Sequence, residues 1–179
     1  AKLANATVAK YVNKLSRITG HAMLVSARKP NFDVLFMGQD DNEQMDAFLA
    51  SRGPQIGASA KQIVAMMPED VHCMVMAFSN ENERRGYTHA IAIIRAEHPP
   101  LMQRACIEEE LAQGLGLAND SPYARPSIFN DDDEFATLTS MDAVMLQILY
   151  NPRLLPGMTL DQARPYLYEI SELLNKPQS

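Results

Sequence analysis

Five polar residues close together in the sequence could take part in chemistry: Glu109, Glu110, Gln113, Asn119 and Asp120. Glu109 and Gln113 are four residues apart, so on a helix they would share one face. A carboxylate in a cleft can act as a general base or help to hold a cation. The spacing therefore predicts a polar site that begins on a helix and continues into the segment after it.

The side chains of this site are poor ligands for zinc. Zn²⁺ prefers His and Cys, whereas Glu109, Gln113 and Asn119 offer one carboxylate and two amides. An oxygen-only set suits Ca²⁺, Mg²⁺ or Mn²⁺ better, but Ca²⁺ needs six or more oxygens.

Glu109 and Glu110 point about 100° apart on a helix, so they should not flank one substrate bond. We expect no metal, no cofactor and no catalytic residue; Glu110 is the candidate if any residue acts as a base. Otherwise its expected role is to tie the helix to the loop of Asn119 and Asp120.

Size and charge exclude several classes of function. The 179 residues suit a single domain over 1–179, with a sheet-and-helix part to about 116 and a helical part from about 117. The net charge of −6 and the lack of a basic cluster argue against nucleic-acid binding and against an anionic membrane surface. No apolar run is long enough to predict a transmembrane segment. The four His have no neighbour at ligand spacing.

Apolar periodicity predicts the elements that must position the polar site. In the N-terminal half it predicts a helix over 6–19, capped by Asn5 and ended by Gly20. Strands or a hairpin over 21–27 and 32–37 follow. Next come a helix from Asp40–Asp41 to Gly53–Pro54 and a loop over 54–60. The later elements begin with a short helix near 63–67, a central buried strand over 71–78 and a strand over 87–96. The helix over 101–114, called the motif helix because it contains Glu109, Glu110 and Gln113, comes next. The last two are a helix from Thr139 with a capping box to Asp142 and a helix over 160–175 that is broken or kinked at Pro165. This order predicts an α+β fold with a mixed sheet.

The segment resembles the metzincin metalloprotease pattern H-E-x-x-H-x-x-G-x-x-H-D. Glu110, Gly116 and Asp120 match the Glu, Gly and Asp of that pattern. Its three His positions are taken by other residues: Glu109, Gln113 and Asn119. Further on, Ser127-Ile128-Phe129 stands where metzincins have their Met-turn, with Phe129 in place of the Met. The resemblance implies a zincin-like fold that lacks its metal site, with Gly116 and Asp120 at a turn beside the old cleft.

The chain is also similar to a family of uncharacterised bacterial proteins that are exported or lipid-anchored. The similarity covers 106–122, 127–131, 149–153 and 156–159. It implies a periplasmic or secreted location, or a lipid anchor on a segment absent from this chain. It implies no activity and no substrate.

Cys73 and Cys106 allow one intramolecular disulfide. The metzincin resemblance implies that the helix of Cys106 packs on the sheet that contains Cys73, which favours the bond. It would close a loop of about thirty residues, stabilise the chain by about 3 kcal/mol and indicate an oxidising compartment. Two buried free thiols are the alternative.

Three hypotheses for function follow. The first is a non-catalytic, metzincin-like binding or scaffolding module of the bacterial envelope that holds a peptide or protein in its old substrate cleft. The second is a hydrolase with altered chemistry that uses Glu110 and an oxygen-bound cation. The third is a structural envelope protein without a functional cleft. The oligomeric state is left open.

Overall fold

The computed structural model describes residues 2–26, 28–38, 41–79, 86–130 and 135–174. Within these residues the chain is α+β, with six helices and a three-stranded mixed sheet, as the sequence predicts. The elements in chain order are α1 Lys2–Thr19, β1 Phe32–Met37, α2 Asn42–Ala50, α3 Pro54–Ala65, β2 Cys73–Phe78, β3 His89–Arg95, α4 Pro100–Gln113, α5 Ser140–Leu149 and α6 Leu160–Leu174. None of the described helices has the length and apolar character needed to cross a membrane.

The strand order is β1-β3-β2, with β1 parallel and β2 antiparallel to β3. The central strand is therefore β3, in which residues 90–94 are all at most 4% exposed. The prediction that the strand over 71–78 is central was wrong, because β2 lies at an edge of the sheet. Its two apolar faces are covered by helices on both sides, and apolar faces do not reveal whether a strand has one neighbour or two.

The predicted strand at 21–27 was also wrong over its described residues, 21–26, which form neither strand nor helix. The side chains of Leu24 and Val25 are 91% and 62% exposed. A short apolar run forms a strand only when a neighbouring strand pairs with its backbone. Here β1 pairs with β3, from Phe32 opposite Ala90 to Met37 opposite Arg95, and no hairpin precedes it within the described residues.

The predicted loop over 54–60 was wrong as well, because α3 begins at Pro54. The helix α2 ends at Ala50, and Pro54 is the first residue of α3, since proline is tolerated in the first turn of a helix. Within α3, a Cβ on Gly57 would lie 2.4 Å from the carbonyl oxygen of Leu49. This glycine therefore allows α2 and α3 to pack closely, and it is not a loop signal.

The helix ends confirm some predictions and correct others. The capping box of Thr139 and Asp142 is present at the start of α5, and Gly20 follows the end of α1 with φ +69°. Asn5 lies inside α1 and does not cap it, since the helix begins at Lys2. The helix α6 continues through Pro165, so the predicted break is absent there; the proline removes one backbone N–H close to the start of the helix.

The sheet lies between two helical layers. Side chains alternate along the strands, so Cys73 of β2 and Ile94 of β3 face the layer that includes α1 and α4. On the opposite face of the sheet, Met76 and Ile93 pack against the layer of α2 and α3. The motif helix α4 consequently packs on the sheet beside its edge strand β2, and this contact forms one wall of the site.

Candidate functional site: the cleft between β2 and α4

A cleft of about 540 Å³ opens between the edge strand and the motif helix. Residues 72–75 line it on the sheet side. On the helix side it is lined by Cys106, Glu109, Glu110 and Gln113. These four residues have the i, i+3, i+4, i+7 spacing of one helix face, which is why α4 presents them together. Asp120, from the segment after α4, completes the polar end of the cleft.

The wall of the cleft contains a disulfide bond between Cys73 and Cys106, which confirms the predicted bond. The two Cα atoms are 5.8 Å apart, so the bond joins β2 directly to α4. The alternative of two free thiols was wrong. A disulfide is compatible with a secreted or periplasmic protein.

Reducing this disulfide is expected to lower the free energy of unfolding by about 3 kcal/mol, since it frees a loop of 33 residues in the unfolded chain. Urea unfolding with and without a phosphine reductant measures the difference. The Cys73→Ser variant should lose the same amount, and adding Cys106→Ser should cost little more, because the bond is already absent. Additive losses from the two substitutions would contradict the prediction.

Glu110 is buried in the floor of the cleft without full hydrogen bonding. It is 4% exposed, and its Oε2 has no hydrogen-bond partner among the described residues. Burial, together with the smaller effects of the charges on Glu109 and Asp120, raises the pKa of Glu110 to about 9. The side chain is therefore a neutral acid at neutral pH and not the carboxylate that a general base requires.

The connection from α4 to the following loop is made by Gln113. Its amide Nε2 donates a hydrogen bond to Oδ1 of Asp120 at 2.7 Å. The sequence suggested Glu110 for this role, but its Oε2 takes no such part in the described structure. Gln113 lies one helical turn closer to the loop and so reaches Asp120.

The carboxyl groups of Glu109 and Glu110 reach the same part of the cleft. One oxygen of Glu109, one oxygen of Glu110 and Sγ of Cys73 lie within 4.8 Å of one another. Neighbouring residues leave a helix in different directions, but the length of a Glu side chain lets both reach the same space. Because Cys73 is disulfide-bonded, its sulfur is not a thiolate ligand in this state.

The three positions that would hold His in a metzincin do not form a zinc site. Glu109 and Gln113 line the cleft, but Asn119 is exposed and does not line it. The amide of Gln113 is already bonded to Asp120. One carboxylate is all that remains of the donor set, and this does not fit Zn²⁺.

Gly116 forms the turn after α4. Its φ of +127° is one that L side chains rarely adopt, and an added Cβ would lie 3.1 Å from Cδ2 of Leu149. Its N–H donates to the carbonyl of Gln113 at 2.9 Å. Both the backbone angle and the close contact explain why glycine is needed where the chain leaves the helix.

Ser127 and Phe129 are buried outside the cleft. They are 0% and 3% exposed, and Phe129 packs in the core with α1 and α4. The hydroxyl of Ser127 donates to Asp142 at 2.5 Å. The segment that resembles a Met-turn is thus attached to the start of α5 and supports the fold beneath the site.

Two groups that matter here were missed from the sequence. Glu108 is 4% exposed and accepts hydrogen bonds from Arg104, Lys14 and the N–H of Leu138. The i, i+4 spacing of Arg104 and Glu108 was the available signal. The second group is a pair of His rings at the cleft, in which Nδ1 of His72 lies 3.1 Å from Nε2 of His98. The 26 residues between them leave no local pattern that predicts their contact.

Comparison with known proteins identifies a family but no characterised relative. The family model described as "Protein of unknown function (DUF2927)" matches residues 1–169. No curated protein and no solved structure matches the chain.

Proposed function

The chain belongs to the DUF2927 family, and from its cleft we propose that it is a non-catalytic module that binds an extended, basic peptide. The proposal rests on the position of β2, which is an edge strand and borders the cleft. An exposed strand edge binds extended segments by adding a strand to the sheet. In this proposal the peptide pairs with β2 and directs a basic side chain toward Glu109 and Asp120.

The backbone of β2 is suited to strand addition. The N–H of Arg95 donates to the carbonyl of His72. In an antiparallel pair, every second residue bonds to the partner strand, so His72 and the residues two and four positions after it face β3. The residues between them direct their N–H and C=O away from β3. These residues are Cys73, Val75 and Ala77. Among the described residues, no backbone group of another segment pairs with this outer edge.

The charge of the cleft favours a basic ligand. Its lining contains the acidic residues Glu109 and Asp120 beside the protonated Glu110, and the described lining includes no Lys or Arg. The whole chain carries a net charge of −6. Complementary charge speeds association and selects against acidic partners.

The lining also supports a role without catalysis. Among the described lining residues there is no Ser, Thr or Lys to serve as a nucleophile, and both Cys are bonded to each other. Glu110 holds a proton at neutral pH, so it does not supply a base.

A metzincin-like origin and an envelope location belong to the same proposal. The motif helix, the Gly116 turn and the cleft beside an antiparallel edge strand are the features that support the resemblance. The disulfide supports an oxidising compartment. In this view the cleft keeps a substrate-like peptide after the loss of the metal.

A hydrolase is the second candidate, because the carboxyl groups of Glu109 and Glu110 lie close together in one cleft. Neutral Glu110 could donate a proton to a leaving group, while Glu109 acts on water. Turnover of a peptide or glycan that the Glu110→Gln variant loses, while still binding the substrate, would favour this function over the first.

Binding to the edge of β2 can be tested by fluorescence anisotropy with extended Lys/Arg-rich peptides and acidic peptides of matched length. Val75→Pro removes an outward N–H, whereas Val75→Ala removes a similar part of the side chain but keeps the N–H. We expect the Pro variant to bind basic peptides about tenfold more weakly than the Ala variant, from the loss of one hydrogen bond.

The charge requirement is tested in the same assay. Asp120→Asn and Glu109→Gln should each weaken binding of basic peptides and reduce its dependence on salt. Equal affinity of the Val75→Pro and Val75→Ala variants would contradict strand addition. Equal affinity of acidic and basic peptides would contradict the electrostatic part, and no binding of any peptide would favour a purely structural protein.

A further inference from the structure

The disulfide and the two carboxyl groups of the cleft form a donor set that is not available in the oxidised chain. Sγ of Cys73 and one oxygen each of Glu109 and Glu110 lie within 4.8 Å of one another. An ion between three atoms at this spacing needs small side-chain shifts to reach a Zn–S distance of about 2.3 Å and Zn–O distances of about 2.0–2.2 Å. The sulfur becomes a strong donor when it is a thiolate, and the disulfide prevents this.

We propose that reduction of the Cys73–Cys106 disulfide creates a zinc site from the Cys73 thiolate and the carboxylates of Glu109 and Glu110. A dithiol reductant supplies two electrons and two protons, so that it becomes a disulfide and the protein gains two thiols. Zn²⁺ then displaces the proton of the Cys73 thiol and the proton of the Glu110 carboxyl group, and both pass to solvent. Cys106 keeps its proton, and water can complete a tetrahedral set.

Glu110 is the independent observation that points to a ligand. Its Oε2 is buried and has no hydrogen-bond partner among the described residues, while its residue is 4% exposed and lines the cleft. A buried polar atom without a partner is costly, and a bound ion is one of the ways in which proteins satisfy such an atom. A cation bound to Glu110 would supply the missing partner.

The negative charges around the three donor atoms favour a divalent cation, and its binding requires the thiolate form of Cys73. Once deprotonated, Cys73, Glu109 and Glu110 would place three negative charges close together, with Asp120 nearby at the same end of the cleft. In the oxidised chain the sulfur carries no charge, and two adjacent carboxyl groups alone bind zinc weakly.

Metal binding would replace the disulfide crosslink between β2 and α4 with a crosslink through the metal ion. In the oxidised chain the disulfide joins β2 to α4, and in the reduced chain the metal would join the same two elements through Cys73 and the two Glu. The cleft of the proposed peptide site would then keep its wall in either redox state. The zinc site itself does not depend on peptide binding.

Co²⁺ is the probe for the test, because a cobalt–thiolate bond gives an intense sulfur-to-metal charge-transfer band. The full chain is titrated with Co²⁺ before and after reduction by a phosphine under nitrogen, and Zn²⁺ is then added to displace the cobalt. We expect the band in the reduced chain at one equivalent of metal, its loss on addition of Zn²⁺, and no band in the oxidised chain.

Two matched variants assign the sulfur ligand, since each lacks the disulfide and retains one thiol. Cys106→Ala retains Cys73 and should bind Co²⁺ at least about tenfold more tightly than Cys73→Ala, which retains Cys106. Adding Glu110→Gln to Cys106→Ala should weaken binding by at least about tenfold. Zn²⁺ should raise the melting temperature of Cys106→Ala and not that of Cys73→Ala.

Each outcome decides the proposal. Circular dichroism measures whether the reduced chain and the Cys106→Ala variant are folded. One folded preparation is sufficient for the titration. The absence of the charge-transfer band in both preparations, folded or not, overturns the proposal. Equal affinity of Cys73→Ala and Cys106→Ala, or unchanged affinity after Glu110→Gln, overturns it as well.

Discussion

Replacing Glu110 with Gln is expected to abolish a loss of stability that the wild-type chain shows as the pH rises from about 5 to 8. Burial and two neighbouring acidic residues raise the pKa of Glu110 from its usual value of 4.5 to about 9 in the folded chain. Between these values the folded chain holds a proton that the unfolded chain has released. Stability must then fall as the pH rises, by up to about 1.4 kcal/mol for each pH unit. The free energy of unfolding should decrease by about 4 kcal/mol across three pH units from this group alone.

The measurement is urea unfolding at several pH values for the wild type, Glu110→Gln and Glu172→Gln. Glu172 is exposed on α6 and serves as a control for the removal of one carboxyl group. The difference between Glu110→Gln and the wild type should grow with pH, because the amide is neutral throughout, whereas the control should follow the wild type. Parallel pH profiles for all three proteins would show that Glu110 is ionised in the folded chain.

Replacing Asp142 with Ala is expected to lower the free energy of unfolding by about 4 kcal/mol, because several buried donors lose their acceptor at once. Asp142 is 0% exposed and accepts hydrogen bonds from the Ser127 hydroxyl and from the N–H groups of Ile128 and Thr139. The same carboxylate is half of the capping box of α5. Its loss would detach the segment 127–129 from the helix and would also leave the helix start uncapped.

The matched control is Asp161→Ala, since Asp161 also lies in the first turn of a helix but its side chain is 95% exposed. We expect the control to change the free energy of unfolding by less than about 0.5 kcal/mol. Ser127→Ala removes one of the three donors and should fall between the two. Equal stability of the two Asp variants would mean that the buried network contributes nothing measurable.

Local signals in the sequence were sufficient for most helices and for the class of fold. Val8, Tyr11, Val12, Leu15 and Ile18 repeat at helical spacing, and Tyr11 and Leu15 are buried as a result. The Thr139–Asp142 capping box acts over one helical turn, and it is present. Such features depend on neighbours within a few residues, so their physical basis is visible in the linear chain.

Strand pairing was predicted less well. The runs at 21–27 and 32–37 are both apolar. Of the residues described in these two runs, only those of β1 pair with another strand, and that strand begins more than fifty residues later at His89. Which of β2 and β3 is central depends on the arrangement of three strands and the helices on both faces. Long-range pairing of this kind has no local signature, because the hydrogen bonds connect residues far apart in the chain.

The amino-acid sequence by itself determined the α+β class, the face of α4 that presents Glu109 and Gln113, and the presence of two Cys able to bond. Each follows from residue types and from the period of a helix. The tertiary structure alone decided that β2 is an edge strand beside these residues within the described sheet, that Oε2 of Glu110 is buried with no hydrogen-bond partner in the described part of the chain, and that Cys73 lies near both carboxyl groups. These properties arise when β2 and α4 pack together, because burial and the distance between side chains exist only after distant segments meet.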